Sequence, residues 1–275
     1  MKAFLRSVLA TASLVIAVPA LAQEAAEATS EKQDGMRYLL GASLSFGPEY
    51  NGASRHTLKV RPLWAVRFGR IRIATSGGSA LLGFGRESAG PGASAQLIEG
   101  DNWRVGVALR IDSGRDSGNA KTTRGLPNVK RTLRARLYAN YSFTKDWNLG
   151  ASLSQDVLGN DGGLTAGVDL GWRFYRNETP EWNTGMGLSA ADAQNMRSYF
   201  GVPASAAAAI GKPAYAPGAG LRNLHFGVGF KHAMSKHWFV FGSAGASRLL
   251  GPAADSPLVE KPSGAAAAVG VAWRN

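Results

Sequence analysis

Residues able to do chemistry are few in this chain, and their spacing does not gather them. The four histidines are His56, His225, His232 and His237. His232 and His237 stand five apart across a short turn, a poor arrangement for metal ligands, so they read as interfacial polar residues. A nucleophilic or acid–base centre would pair a histidine with a serine or aspartate, and no such pair shows in the spacing. The absence of cysteine removes thiolate nucleophiles, thiolate metal sites and disulfides. Gly83-Phe84-Gly85 and Gly227-Val228-Gly229 echo phosphate loops, but no helix follows either, and alternation of small residues explains them better. Asn177-Glu178-Thr179 matches a glycosylation acceptor at a predicted short turn, where it carries little weight. These residues imply no catalytic centre, no metal and no cofactor, and so no enzyme.

What remains is charge. The chain carries 31 Lys and Arg against 19 Asp and Glu, a net of +12. A basic excess ordinarily points to nucleic acid or anionic surfaces. Here the positions of the charges matter more than their sum. Lys59, Arg61, Arg104, Arg110, Lys130, Arg134, Arg136 and Arg173 recur on the polar side of alternating segments, joined by Arg67, Arg72 and Lys231. Only Asp112 and Asp169 oppose them on those segments. A one-sided pattern of this kind suits a lined interior and not a nucleic-acid surface.

The elements that must position these cations are strands. Tyr38, Leu40, Ala42, Leu44 and Phe46 share one face, with Arg37, Gly41, Ser43 and Ser45 on the other. The same period of two recurs through 58–68, 103–112, 129–143 and 164–174. Alternation over ten or more residues exceeds the five or six of ordinary strands and matches the 9–11 of membrane-spanning ones. Connections alternate between short (69–70, 100–101, 144–146, 177–181, 233–236) and long (47–55, 86–92, 113–128, 159–163, 190–221, 250–263). That is the pattern of an outer-membrane barrel with short periplasmic turns and longer external loops. It closes if 70–85 is one ascending strand with a bulge at Gly77-Gly78, giving about 12 strands; ten or fourteen are the neighbouring even numbers. The expected fold is therefore an all-β, transmembrane antiparallel barrel over 37–275. Trp64, Trp103, Trp147, Trp172, Trp182, Trp238 and Trp273 all share the apolar parity and gather at one rim, as an aromatic membrane girdle against outer-membrane lipid requires. The one helical candidate, 190–199 with Ser189 or Asp192 as cap, lies in the longest external loop, where it either folds over the mouth or stays solvated.

The first residues set the compartment. Lys2 and Arg6 precede an apolar stretch over 7–18, Pro19 breaks it, and Ala20-Leu21-Ala22 offers a cleavage site before Gln23. Residues 1–22 thus read as a signal peptide and 23–36 as a flexible polar segment.

The loops carry a resemblance. The stretches GPEYNGAS at 47–54, YFGVP at 199–203, AGLR at 219–222 and SRLLGPAADSPLV at 247–259 resemble the MltA-interacting protein (MipA/OmpV) family of outer-membrane proteins. The resemblance implies a barrel in the cell outer membrane. It also implies a non-enzymatic scaffold joining a murein lytic transglycosylase to a penicillin-binding protein. The chain departs from the family at its end, Ala272-Trp273-Arg274-Asn275, where an aromatic is usual. A second function, from charge alone, is a narrow channel or receptor for anionic solutes through a basic lumen. Internal ladders of arginine and carboxylate would fill the same lumen without conducting.

Overall fold

The structure is a computed structural model describing residues 36–75, 91–118, 120–177 and 179–275. The expected signal peptide with its Ala22/Gln23 cleavage site, almost all of the polar segment, the expected bulge at Gly77-Gly78 and Gly83-Phe84-Gly85 lie outside the described residues.

Period-two patterning becomes strands because alternate side chains of a pleated chain point to opposite faces. The strands are β1 (Arg37–Pro48), β2 (His56–Phe68), β3 (Ile71–Ala74), β4 (Gly92–Glu99), β5 (Trp103–Asp112) and β6 (Thr132–Ser142). They continue as β7 (Trp147–Asp156), β8 (Leu164–Arg176), β9 (Glu181–Ala191), β10 (Gly220–Ala233), β11 (Trp238–Leu249) and β12 (Ser263–Arg274). Each pairs antiparallel with its neighbour, and β1 with β12, so the sheet closes into a barrel. Closure joins the first strand to the last, and a closed sheet is the form in which strands sit in hydrocarbon.

Leu40, Leu44, Phe46, Leu58, Val60, Ile73, Leu137, Phe226 and Val269 stay exposed on the outer face. An apolar outer band of this kind belongs against lipid, not water. None of the described helices is long and apolar enough to cross a membrane. Contacts across the barrel fix which face is inside. Tyr199, between β9 and β10, donates its hydroxyl to Asp112 at the end of β5, 2.9 Å away. These segments lie well apart around the ring, so that bond crosses the lumen and the polar face is the inner one.

Several details depart from simple alternation. β6 begins at Thr132, so Val129 and Lys130 precede it; Val129 instead bridges Arg115. Registers slip between Gln96 and Ile98, between Trp172 and Tyr175, and between Leu221 and Asn223, bulges that the alternation does not announce. More helix forms than expected: α1 (Ala193–Phe200), α2 (Ala204–Ile210), α3 (Gly251–Ala254) and a 3-10 turn at Lys121–Thr123. Asp192 caps α1 by accepting the Asn195 amide at 2.7 Å. Gly211 ends α2 in the left-handed conformation that glycine adopts without penalty.

Candidate functional site: the lumen and its two mouths

At the long-loop end the loops pack across the mouth. Met196 and Phe200 of α1 bury against Ala253 of α3, Leu249 and Ala191. Val202 and Ala206 bury against Leu126 of the β5–β6 loop and Leu258 of the β11–β12 loop. Polar bonds lock the same pieces. Asn195 Nδ2 donates to Gly162 O (2.6 Å), Ser256 Oγ to Phe200 O (2.6 Å), Tyr215 OH to Pro252 O (2.8 Å) and Lys212 Nζ to Pro257 O (2.7 Å). Glu260 ties three loops by accepting from the Ser54 and Thr122 hydroxyls and from the Ser54 amide. Those hydroxyls and that amide hold its carboxyl down to about 2. Burial, with the neighbouring Asp112 carboxylate, pushes the Tyr199 phenol up, so it stays a donor.

Beneath this cap lies Arg134, one of the sequence-predicted cations. Its guanidinium donates to Gly162 O (2.9 Å), Gly163 O (3.1 Å), Ser154 O (2.9 Å), Ser154 Oγ (3.2 Å) and Thr165 Oγ1 (3.2 Å), and faces Asp112 at 3.7 Å. A cation so surrounded is a strut rather than a free attractor. Lys59, Arg61, Arg104, Arg110, Arg136 and Arg173 also occupy inward positions; Arg110 stands directly opposite Arg134, Arg104 and Arg136 lie on the same pair of strands, and Lys59, Arg61 and Arg173 come from β2 and β8. Lys130 is exposed, ahead of β6.

Midway down the wall, His225 Nε2 lies 2.8 Å from Asp169 Oδ1. Both residues are inward and both pair with Gly187 on the strand between them. A Cβ at Gly187 would collide with Asp169 and the His225 ring, so this glycine is what lets them meet. The spacing hid this pair, since 56 residues separate its members. Only strand register brings them together. Among the described residues no cluster of three metal-capable side chains forms.

The short-turn end is built differently. Glu181 faces both Arg173 (3.6 Å) and Lys231 (3.7 Å). Beside them Leu39, Ala65, Ala74, Phe239 and Ala272 form a buried apolar patch on inward positions. Strict alternation of polar and apolar residues misses this patch. Sequence reasoning also passed over Arg176, Arg222, Arg274 and Glu181. Arg222, at the opposite end, is the residue inside the register slip between Leu221 and Asn223, which obscures its parity, and the others sit at strand ends. On the outside of the same rim stand all seven tryptophans. Trp147 stacks on Trp172 (centroids 5.3 Å), and Trp103 leans on Tyr141 (4.5 Å). Trp182 meets Phe230 (5.2 Å), and Trp273, paired with Trp238, lies between Tyr38 and His237.

Solved barrels similar to this chain include a KdgM porin (TM-score 0.42, 10% identity, covering 86% of this chain and 98% of that one). Others are a NanC porin (0.40, 10%, 87% and 99%) and an anion-selective porin from Comamonas acidovorans (0.39, 11%, 88% and 99%). None of these likenesses bears on what this chain does. No curated protein matches it. The family described as MltA-interacting protein MipA matches residues 40–275, essentially the whole barrel, and the chain belongs to that family.

Proposed function

We propose that this protein is a non-enzymatic outer-membrane scaffold that holds cell-wall enzymes at its periplasmic rim. The enzymes implied by the family are a murein lytic transglycosylase and a penicillin-binding protein. The observation that carries the reading is the cap. Its hydrophobic seams and interloop bonds span the external mouth, and Arg134 below it is saturated by carbonyls and Asp112. A barrel built this way offers a rigid platform rather than an open passage. The basic lumen residues Lys59, Arg61, Arg104, Arg110, Arg134, Arg136 and Arg173 then serve as internal struts and counter-charges. The tryptophan rim seats the barrel in outer-membrane lipid, short turns toward the periplasm.

The competing reading, a narrow channel or receptor for anionic solutes, draws on the same cations; the capped mouth weighs against through-passage. Crosslinking whole envelopes and isolating the barrel tests the scaffold directly. Recovery of a transglycosylase together with a penicillin-binding protein supports it, and recovery of neither sinks it.

A further inference from the structure

The periplasmic rim of the lumen holds a cavity of about 530 Å³, bordered by Arg176, Thr179, Glu181, Lys231, Phe239 and Arg274. We propose that it receives an acidic peptide segment of a periplasmic partner, with Arg176 and Arg274 clasping separate carboxylates and Phe239 meeting an apolar side chain. The proposal rests on the scaffold reading and names the chemistry by which that scaffold would hold its partner.

The cavity lies in the range of volumes that take ligands, about 300–1,000 Å³. Its charges are unequally matched. Glu181 already faces Lys231 and Arg173, whereas among the described residues no carboxylate stands within ion-pair distance of Arg176 or Arg274. Arg274 sits 5.9 Å above the Phe239 ring, which orients the guanidinium without neutralising it. Behind Phe239 is the apolar patch of Ala272, Leu39 and Ala65. The lining therefore offers forked donors for carboxylates beside a dry wall for carbon.

The lining argues for a peptide rather than a bare anion. Arg176 and Arg274 border one cavity together with Phe239, so a ligand that meets all three carries apolar carbon beside its carboxylates, as a peptide segment does and inorganic phosphate does not.

The test uses the full mature barrel in detergent and a fluorescein-labelled hexapeptide with glutamate at each end and leucines between. Saturable binding that weakens as salt rises from about 50 to 500 mM is expected. Arg176→Gln with Arg274→Gln should weaken it at least tenfold, and the paired Arg→Lys variant should restore most of it. Arg61→Gln, outside the cavity, should leave it unchanged. If the double Gln barrel does not assemble, salt dependence and the Lys variant decide. Equal binding of a peptide with glutamine ends, or of the double Gln barrel, overturns the proposal. So does full displacement by equimolar inorganic phosphate, which would mark a simple anion site. The scaffold is judged separately. If the double Gln barrel still captures cell-wall enzymes from crosslinked envelopes at the wild-type level, the cavity is overturned and the scaffold stands. If the wild type binds peptide yet captures none, the scaffold reading falls while the cavity's peptide chemistry holds.

Discussion

The two ends of this barrel are made from the same twelve strands with the same inward parity, yet they solve the problem of a charged interior in opposite ways. At the long-loop end, Arg134 is surrounded by carbonyls delivered by the β7–β8 loop, and α1 and α3 bury apolar side chains over it. At the short-turn end the turns are too short to fold inward. Charge there meets Glu181 on the wall itself, and an apolar patch shares that wall. The difference lies in the loops. A strand supplies the cation, and a long loop decides whether it becomes internal structure or remains available to something else.

The largest effect should come from removing the strut. Arg134→Glu with Arg136→Glu leaves Asp112 and the carbonyls of Gly162 and Gly163 facing a new carboxylate. Breaking a buried ion pair this way costs about 3–5 kcal/mol. The heat-modifiable gel transition should fall to clearly lower temperature, with reconstituted wild type giving no steady conductance. An unchanged transition together with anion-selective wild-type current would erase the contrast between the ends.

Next comes the cap's own core. Met196→Ala opens a cavity between α1 and α3 at a cost of about 2–5 kcal/mol. Amide exchange should quicken over 193–210 and 251–258 while the strand amides of β5 to β9 keep their protection. Uniform quickening would mean that the cap and the barrel are a single cooperative unit.

A smaller effect belongs to the interloop tie. Glu260 titrates at about 2 in the folded cap, below its ordinary 4.5. Its contribution is therefore complete above pH 4.5 and fades as pH falls through 2. Proteolysis of the loops should quicken over that window, and Glu260→Gln should flatten the dependence. The substitution itself should cost about 1 kcal/mol, since the tie is exposed. No pH dependence in the wild type would remove Glu260 from the cap's support.

The smallest expected change is at the outer rim. Trp103, Trp147 or Trp238 replaced by Arg should cost about 0–1 kcal/mol each near the interface, seen as reduced membrane assembly with the cap's exchange unaltered. A triple replacement that assembles normally would dissociate the rim from insertion.

The barrel itself was legible because period two, strand length and the rhythm of short and long connections all report on one geometry. The twelve strands and the inward parity of Arg61, Arg110 and Arg134 follow from it. The α1 cap was visible in Asp192. Beyond that point the signal thins for physical reasons. Helix α2 is almost wholly alanine and α3 spans four residues, so neither carries an amphipathic pattern. The Asp169–His225 contact depends on register across three strands, which no local window contains. Lys130 had the right parity for the lumen but stands beyond the strand's start, a boundary set by where the loop begins to bridge Arg115 to Val129. Leu39 and Phe239 were hidden because a lumen is read as polar, although a narrow interior tolerates apolar walls.

The join between β1 and β12 has a consequence for how the chain comes together. Tyr38 N donates to Asn275 Oδ1 across a separation of 237 residues, and the whole β1–β12 ladder is of that kind. Every other seam links neighbours in sequence and can form as the chain is delivered. This one has the highest contact order in the molecule and the largest loop-closure cost. Until β12 arrives, β1 and β11 present open edges able to recruit another chain. The period before closure is thus the interval of greatest exposure to misassembly, and a helper that shields β1 would act where the barrel is most vulnerable.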